Sequence, residues 1–311
     1  MSVDFEYDTE IMDDFDDHVQ SHIEKSTADE KNSEIKDLLT KMSSANDPYE
    51  IIELCSQISL LSPKNILVDI KKAKTYAELE NNDKCEQIFK TLIKKTNASS
   101  DIPYFYYGLF LEDIKKYSDA LVCFDEAIRL DRNNPHFWFH KAIVLQNLEE
   151  YLHAVDCYDE AINLGDGDII MNLIEGARAQ HNKGLALAEL GRWQEAEDCL
   201  DEAIKMDENP AHMWDTKGSV FGKQGKHQDA VDCYDKAIKL DGNNLYSLRN
   251  KGLALTKLGR WQEAADCLDK AIKLDGSEWS TWSNKGLALT KLGRWQEAAD
   301  CFDEAINLGA N

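Results

Sequence analysis

Six cysteines, Cys123, Cys157, Cys199, Cys233, Cys267 and Cys301, follow one another at spacings of 34, 42, 34, 34 and 34 residues. Glycine keeps the same step at Gly184, Gly218, Gly252 and Gly286, and the 17-residue run from Lys251 to Cys267 recurs unchanged from Lys285 to Cys301. The frame continues upstream through Ala142 and Gly108, with one eight-residue insertion between the Ala142 and Gly184 repeats. A period of this length marks a supersecondary unit that cannot bury its apolar surface alone. Such units must stack in series and share a continuous core.

Each unit reads as two helices. Trp214, Gly218 and Phe221 fall at i, i+4 and i+7 in the first, and Tyr117, Ala120, Phe124 and Ala127 at i, i+3, i+7 and i+10 in a second. Both spacings trace one face of an α-helix. Leu-Gly-Arg-Trp turns at 190–193, 258–261 and 292–295 separate the two. Their glycines, Gly191, Gly259 and Gly293, suit the left-handed conformation that ends a helix. Asn134-Pro135 and Asn209-Pro210 read as an N-cap followed by proline at the first helical position. Gly218 and Ala230 are small where large side chains would hold the two helices apart.

The pattern resembles the tetratricopeptide repeat family. In the unit 211–244 the motif positions are Trp214, Lys217-Gly218, Phe221, Ala230, Tyr234 and Ala237. The departures are a lysine in place of the leucine before the glycine, and Gly242 or Arg132 in place of the late proline. The resemblance covers six units, 101–134, 135–168, 177–210, 211–244, 245–278 and 279–311, with the eight-residue insertion at about 169–176. It extends more weakly to 66–100, through Ala73, Tyr76, Cys85, Phe89 and Leu92. Residues 34–65 read as a further degenerate hairpin, Ile35, Leu38 and Leu39 facing Ile51, Ile52 and Cys55. Thus 31–100 forms degenerate helical hairpins, and 1–30 is an acidic tail expected to be disordered. The resemblance implies an all-α, right-handed superhelical solenoid of antiparallel helix hairpins whose first helices line a concave groove. The insertion, with Ile169, Ile170, Met171 and Ile174, is expected to lengthen a first helix. It either packs as an extra turn on the preceding hairpin, the outcome favoured on packing grounds, or projects an apolar edge.

Composition narrows the partners. The formal net charge is −23, and residues 1–30 alone hold eleven acids against one lysine. Nucleic acid is a polyanion whose binding relies on Lys and Arg replacing counterions, so it is not an expected partner. An anionic membrane surface is disfavoured for the same reason. No stretch approaches the roughly 20 apolar residues of a membrane span, and the acidic N-terminus lacks the features of a signal peptide. The expectation is a cytoplasmic protein.

No motif offers catalysis a foothold, and neither a metal nor a cofactor is expected. Equivalent atoms in stacked repeats should lie about 8–10 Å apart, whereas a disulfide needs Cα atoms within about 7 Å. The cysteines therefore read as small, half-buried spacers. The Asp-Glu pairs at 125–126, 159–160, 201–202 and 303–304 recur in register and read as a solvated face. His18 and His22 stand at metal-ligand spacing, but two ligands in an acidic tail do not complete a site.

The function implied is a non-enzymatic scaffold that binds peptide segments or partner proteins in the groove. By frame, the lining includes Phe105, Tyr106, His136, Phe139 and His140, then Arg178, His181, Asn182 and His212. It continues with Arg249, Asn250, Lys257, Asn284 and Lys291. Family members that capture chaperone tails use a carboxylate clamp of lysine, asparagine and arginine across three units, and no three consecutive units here carry that set. Two further expectations concern the ends. Phe5, Tyr7, Ile11 and Phe15 interleave with the acids of residues 1–30, a composition suited either to docking in the basic part of the groove or to a solubilising tail. The final unit shows no polar cap, so self-association through its C-terminal face is the alternative function.

Overall fold

The computed structural model describes residues 32–165, 169–207 and 209–309, and every regular element among them is an α-helix. The expectations placed on residues 1–30, including His18, His22 and the docking of the tail, lie outside the described residues. The chain forms two compact units that divide between Asn133 and Asn134.

The first unit holds α1 (Asn32–Ser44), α2 (Pro48–Leu61), α3 (Ile66–Glu78), α4 (Asn82–Lys95), α5 (Ile102–Asp113) and α6 (Tyr117–Leu130). Each helix packs on the next. Asp47 accepts a hydrogen bond from the backbone of Tyr49 at 3.0 Å, with Pro48 opening α2, so cap and proline together start the helix. Ile35, Leu39 and Met42 of α1 are buried against Leu54, Cys55 and Ile58 of α2. Ile51 and Ile52 are only partly buried, so the contact lies one turn further along α2 than the sequence pattern suggests.

The second unit is a run of five hairpins. Its helices are α7 (Pro135–Asn147), α8 (Tyr151–Gly165), α9 (Ile169–Glu189), α10 (Trp193–Met206) and α11 (Ala211–Lys223). They continue as α12 (His227–Leu240), α13 (Leu245–Lys257), α14 (Trp261–Leu274), α15 (Trp279–Lys291) and α16 (Trp295–Gly309). Odd-numbered helices are the first of each hairpin, and those from α9 onward each also touch the first helix of the hairpin before. The insertion falls at the start of α9, which runs to 21 residues. The side chains of Ile169, Ile170, Met171 and Ile174 lie outside the described residues.

Hairpin geometry follows from small residues facing large ones. A Cβ built on Gly218 would meet the Tyr234 ring at 2.6 Å, and one on Gly252 would meet Leu268 Cγ at 2.5 Å. Only a glycine lets these second helices come so close. Ala230, Ala264 and Ala271 are likewise fully buried. Cys55, Cys85, Cys123, Cys157, Cys199, Cys233, Cys267 and Cys301 are all free thiols and all buried. Burial pushes the Cys123 thiol up to about 12 and that of Cys233 to about 11, away from the thiolate that a nucleophile needs.

First helices end alike. Gly191 takes φ +73, its N–H donates to Ala188 O at 3.0 Å, and Arg192 N donates to Leu187 O at 2.9 Å. This pair of bonds satisfies the last carbonyls of the helix. At the matching place after α7 stands Glu149, with φ +61 and the same two bonds, Glu149 N to Gln146 O and Glu150 N to Leu145 O. A side chain in that conformation is strained where glycine is not. Glu149→Gly should therefore raise the stability by about 0.5–1 kcal/mol, read from urea denaturation, the left-handed strain outweighing the extra freedom of glycine in the unfolded chain.

Starts differ more than the sequence suggests. Asn134 accepts from His136 N at 3.1 Å with Pro135 at the first helical position, as expected. Asn209-Pro210 does not repeat this. α11 begins one residue later, at Ala211, with Pro210 itself in the capping place and no side-chain cap bond. Asp207 accepts from Asn209 N at 2.8 Å instead, turning the chain before the helix begins.

Between hairpins, one polar contact recurs. Lys183 Nζ reaches Asp159 at 2.5 Å and Lys285 reaches Asp269 at 2.6 Å, while Lys217 bonds Asp201 and Lys251 bonds Asp235 in the same manner. Each lysine precedes the small glycine of a first helix, and each aspartate belongs to the second helix of the previous hairpin. The lysines that depart from the family motif are thus the seams of the stack. Asp159 and Asp201, which read in sequence as a plain solvated face, are half of those seams.

Candidate functional site

The first helices of the second unit carry the polar and exposed apolar side chains that the core does not consume. Their character changes along the array. At α7 and α9 the residues close on one another. Phe139 and His140 are buried, at 2% and 7% exposure, with ring centroids 5.4 Å apart and Phe139 also 6.0 Å from Tyr158. The Arg178 guanidinium lies 5.8 Å from the Phe139 ring centroid, within reach of a cation–π contact. His136 is partly exposed beside them. In the first unit, Phe105 and Tyr106 of α5 pack edge to face at 5.3 Å, and Phe105 lies 6.1 Å from Phe124. Burial raises the Tyr106 hydroxyl well above its ordinary value.

Next along the second unit is a histidine pair. His181 and His212 meet edge to face at 5.4 Å, and His181 Nε2 lies 2.9 Å from Thr216 Oγ1. Enclosure of its ring, and then the charge His212 would carry, push His181 down to about 3, against a hydrogen bond with Asn182 that acts the other way. His181 is therefore neutral at physiological pH, while His212 is exposed. Among the described residues no group of three or more His, Cys, Asp or Glu is arranged to hold a metal ion.

Asp215 of α11 is the functional candidate that sequence reasoning missed. Its carboxylate accepts from Ser247 Oγ at 2.8 Å and from the Asn250 side chain, both on α13. Burial raises its pKa while those two bonds oppose the rise. Arg249 Nη2 donates to Asp275 Oδ2 at 3.0 Å, and Arg249 Nε is buried with no hydrogen-bond partner among the described residues. Asn250, expected to face a ligand, is therefore engaged with the preceding hairpin, and Arg249, expected there too, with the C-terminal end of the second helix of its own hairpin.

Beyond this point the face opens. Lys257 and Lys291, at the ends of α13 and α15, are exposed and make no ion pair among the described residues. Their counterpart one hairpin earlier, Lys223, is neutralised by Glu189 of α9 at 2.5 Å. Leu253 and Leu287 are each 41% exposed on the same two helices, with Tyr246 at 66% and Asn284 half-buried. Two unpaired cations beside two aliphatic side chains form a surface that can hold an acidic segment with apolar side chains.

Comparison with known proteins agrees with this architecture. Family profiles described as tetratricopeptide repeat match residues 175–241, 216–278 and 249–311. Among solved structures, the chain is similar to the C-terminal part of a TPR repeat-containing protein from Cytophaga hutchinsonii. That match has 17% identity and a TM-score of 0.57, and covers 66% of this chain and 79% of the other. It is also similar to the APC/C hetero-tetramer Cut9-Hcn1, at 17% identity and TM-score 0.56 over 94% of this chain and 56% of that one. A third likeness is to MamA (41-end) from Desulfovibrio magneticus RS-1, at 18% identity and TM-score 0.50, covering 57% and 95% respectively. At these identities the structures speak to fold alone. No curated protein matches the sequence. Among the described residues no helix is long and apolar enough to cross a membrane.

Proposed function

Because the chain belongs to the tetratricopeptide-repeat family through residues 175–311, we propose that it is a non-catalytic interaction scaffold. Its ligand is a peptide segment of a partner protein, held on the first-helix face of the second unit. The observation that carries this reading is the pair of uncompensated lysines, Lys257 and Lys291, next to the exposed Leu253 and Leu287. In a chain of net charge −23, most first-helix cations are consumed by ion pairs within the stack. These two are not, and an acidic ligand supplies the missing charge.

The remaining first-helix residues divide by role. Arg178, His181, Asn182 and Phe139 with His140 shape the earlier part of the face, where contact is aromatic and amide-like. Asn284 lies within the open part and offers both a donor and an acceptor to a peptide backbone. Arg249 and Asn250 hold Asp275 and Asp215, and so support the face rather than touch the ligand.

The test is a pull-down from cell extract with the wild type beside Lys257→Glu/Lys291→Glu. Both side chains are exposed, so the double variant should keep its helical circular dichroism and melting temperature. Bound partner should fall by roughly tenfold, and the wild-type interaction should weaken as salt rises to 0.5 M. Equal capture by both proteins would refute the reading.

A further inference from the structure

Asp159, Asp201 and Asp269, all partly buried, each hold a lysine across a seam, and Asp275 holds Arg249. Asp215 of α11 is also partly buried, but it makes no ion pair among the described residues. Two neutral donors meet its carboxylate, Ser247 Oγ at 2.8 Å and the Asn250 side chain. Arg249 stands beside Asn250 on α13, yet its guanidinium is committed to Asp275 at 3.0 Å. Burial outweighs the two bonds and raises the Asp215 pKa, so its charge is the less favoured state of the group in the free protein. An enclosed carboxylate is ordinarily matched by a cation. Here the chain spends its cations elsewhere.

The helix that holds Asp215 also carries the open part of the first-helix face. Tyr246, Asn250, Leu253 and Lys257 fall at i, i+4, i+7 and i+11 of α13, one side of the helix. Asn250 therefore ties the carboxylate to the same stripe that ends in Lys257. Tyr246, 66% exposed one turn before Asn250, offers a ring to a cation or to its alkyl stem. From Asn250 to Lys257 the helix rises about 10 Å. An extended peptide covers that distance in about three residues.

We propose that Asp215 is a cation subsite, taking a lysine or arginine side chain of the peptide whose acidic residues meet Lys257 and Lys291. The inference deepens the reading of the first-helix face as a peptide-binding surface and rests on it. The ligand is then of mixed charge, and not simply acidic. Its basic residue stands about three to five positions from an acidic one, the reach of the side chains added to the span of the backbone. Ser247 and Asn250 hold the carboxylate in place without touching the ligand, and the cation brings the countercharge that the chain withholds.

The experiment selects from a phage-displayed library of random peptides, about 12 residues long, on the immobilised full chain. Asp215→Asn and Lys257→Glu/Lys291→Glu are run beside the wild type. Peptides held by the wild type should be enriched at least about threefold in a Lys or Arg at that spacing from an Asp or Glu. On Asp215→Asn the acidic enrichment should persist and the basic one vanish. In anisotropy, a fluorescein-labelled peptide from the wild-type pool should bind about tenfold more weakly once norleucine replaces its basic residue. The same replacement should change binding to Asp215→Asn by less than about twofold. Asparagine keeps an oxygen for Ser247 and removes a charge that burial disfavours, so this variant should melt no lower than the wild type. Acidic enrichment without basic residues on the wild type would overturn the subsite alone and leave the lysine-pair reading standing. A lowered melting temperature of Asp215→Asn with an unchanged peptide pattern would overturn it equally, reducing Asp215 to packing. Selection of no peptide, or of peptides that Lys257→Glu/Lys291→Glu holds as well as the wild type does, would overturn the underlying reading and the subsite with it.

Discussion

Gly252→Ala should destabilise the protein by about 1–2 kcal/mol net of its helix-propensity gain, whereas Gly286→Ala should cost less than about 1 kcal/mol. The two glycines sit within identical 17-residue sequences, so the gain in helix propensity from glycine to alanine, about 1 kcal/mol, is common to both. They differ in what the new methyl meets. At Gly252 it would come within 2.5 Å of Leu268 Cγ, and Leu268 is 1% exposed with α15 packed over its helix. Nothing there can retreat, and overpacking a filled core carries a penalty of that order. At Gly286 the methyl meets the Phe302 ring at 2.8 Å, but that ring is 37% exposed and can swing outward. Urea denaturation of the two single variants measures the difference. Equal losses would mean that the outer face of α16 is covered in solution.

The second large effect lies in the lysine–aspartate seams. Lys217 is enclosed, with its side chain 10% exposed, while its partner Asp201 is 46% exposed. Removing the aspartate leaves a desolvated ammonium without its counter-charge, the costly way to break such a pair. Asp201→Ala is expected to lose about 2 kcal/mol, discounted from the fully buried case because water reaches the carboxylate side. Lys217→Met with Asp201→Leu should recover most of that loss, since an apolar pair of similar volume needs no desolvation. Asp303→Ala, the same change where no lysine is present, should be neutral within about 0.5 kcal/mol. A thermal-melt series of the three variants beside the wild type checks the pattern, and an Asp303→Ala loss as large as that of Asp201→Ala would contradict it.

How far the sequence reaches into this structure depends on whether a residue obeys the period. Gly218 against Tyr234, the left-handed Gly191, Gly259 and Gly293, and the buried cysteines all follow from a 34-residue frame, because each is set by contacts inside one hairpin. The seams were harder to read. Lys217 and Asp201 are 16 residues apart and belong to different hairpins, so their pairing emerges only when stacking is considered. The signal was nevertheless present, as lysines at 217, 251 and 285 each stand 16 residues after the aspartates at 201, 235 and 269, and Lys183 stands 24 after Asp159 across the insertion. Asp215 offered no such signal. At its place in the other hairpins stand Phe139, His181, Arg249 and Ser283, so periodicity is silent about it. Its buried bonds to Ser247 and Asn250 depend on the particular neighbour. The open character of Lys257 and Lys291 was hidden for a related reason. Whether a lysine is free depends on whether the preceding hairpin offers a glutamate, as Glu189 does to Lys223.

The uniform seam also bears on how such a chain changes over generations. A 34-residue segment cut at equivalent points and copied in tandem brings its own lysine to the aspartate ahead and its own aspartate to the lysine behind. No junction is mismatched by the copy, and deletion of a segment heals in the same way. Array length is therefore the property most readily altered by recombination, while the side chains that vary between units, Asp215 foremost, travel with each segment as its individual label.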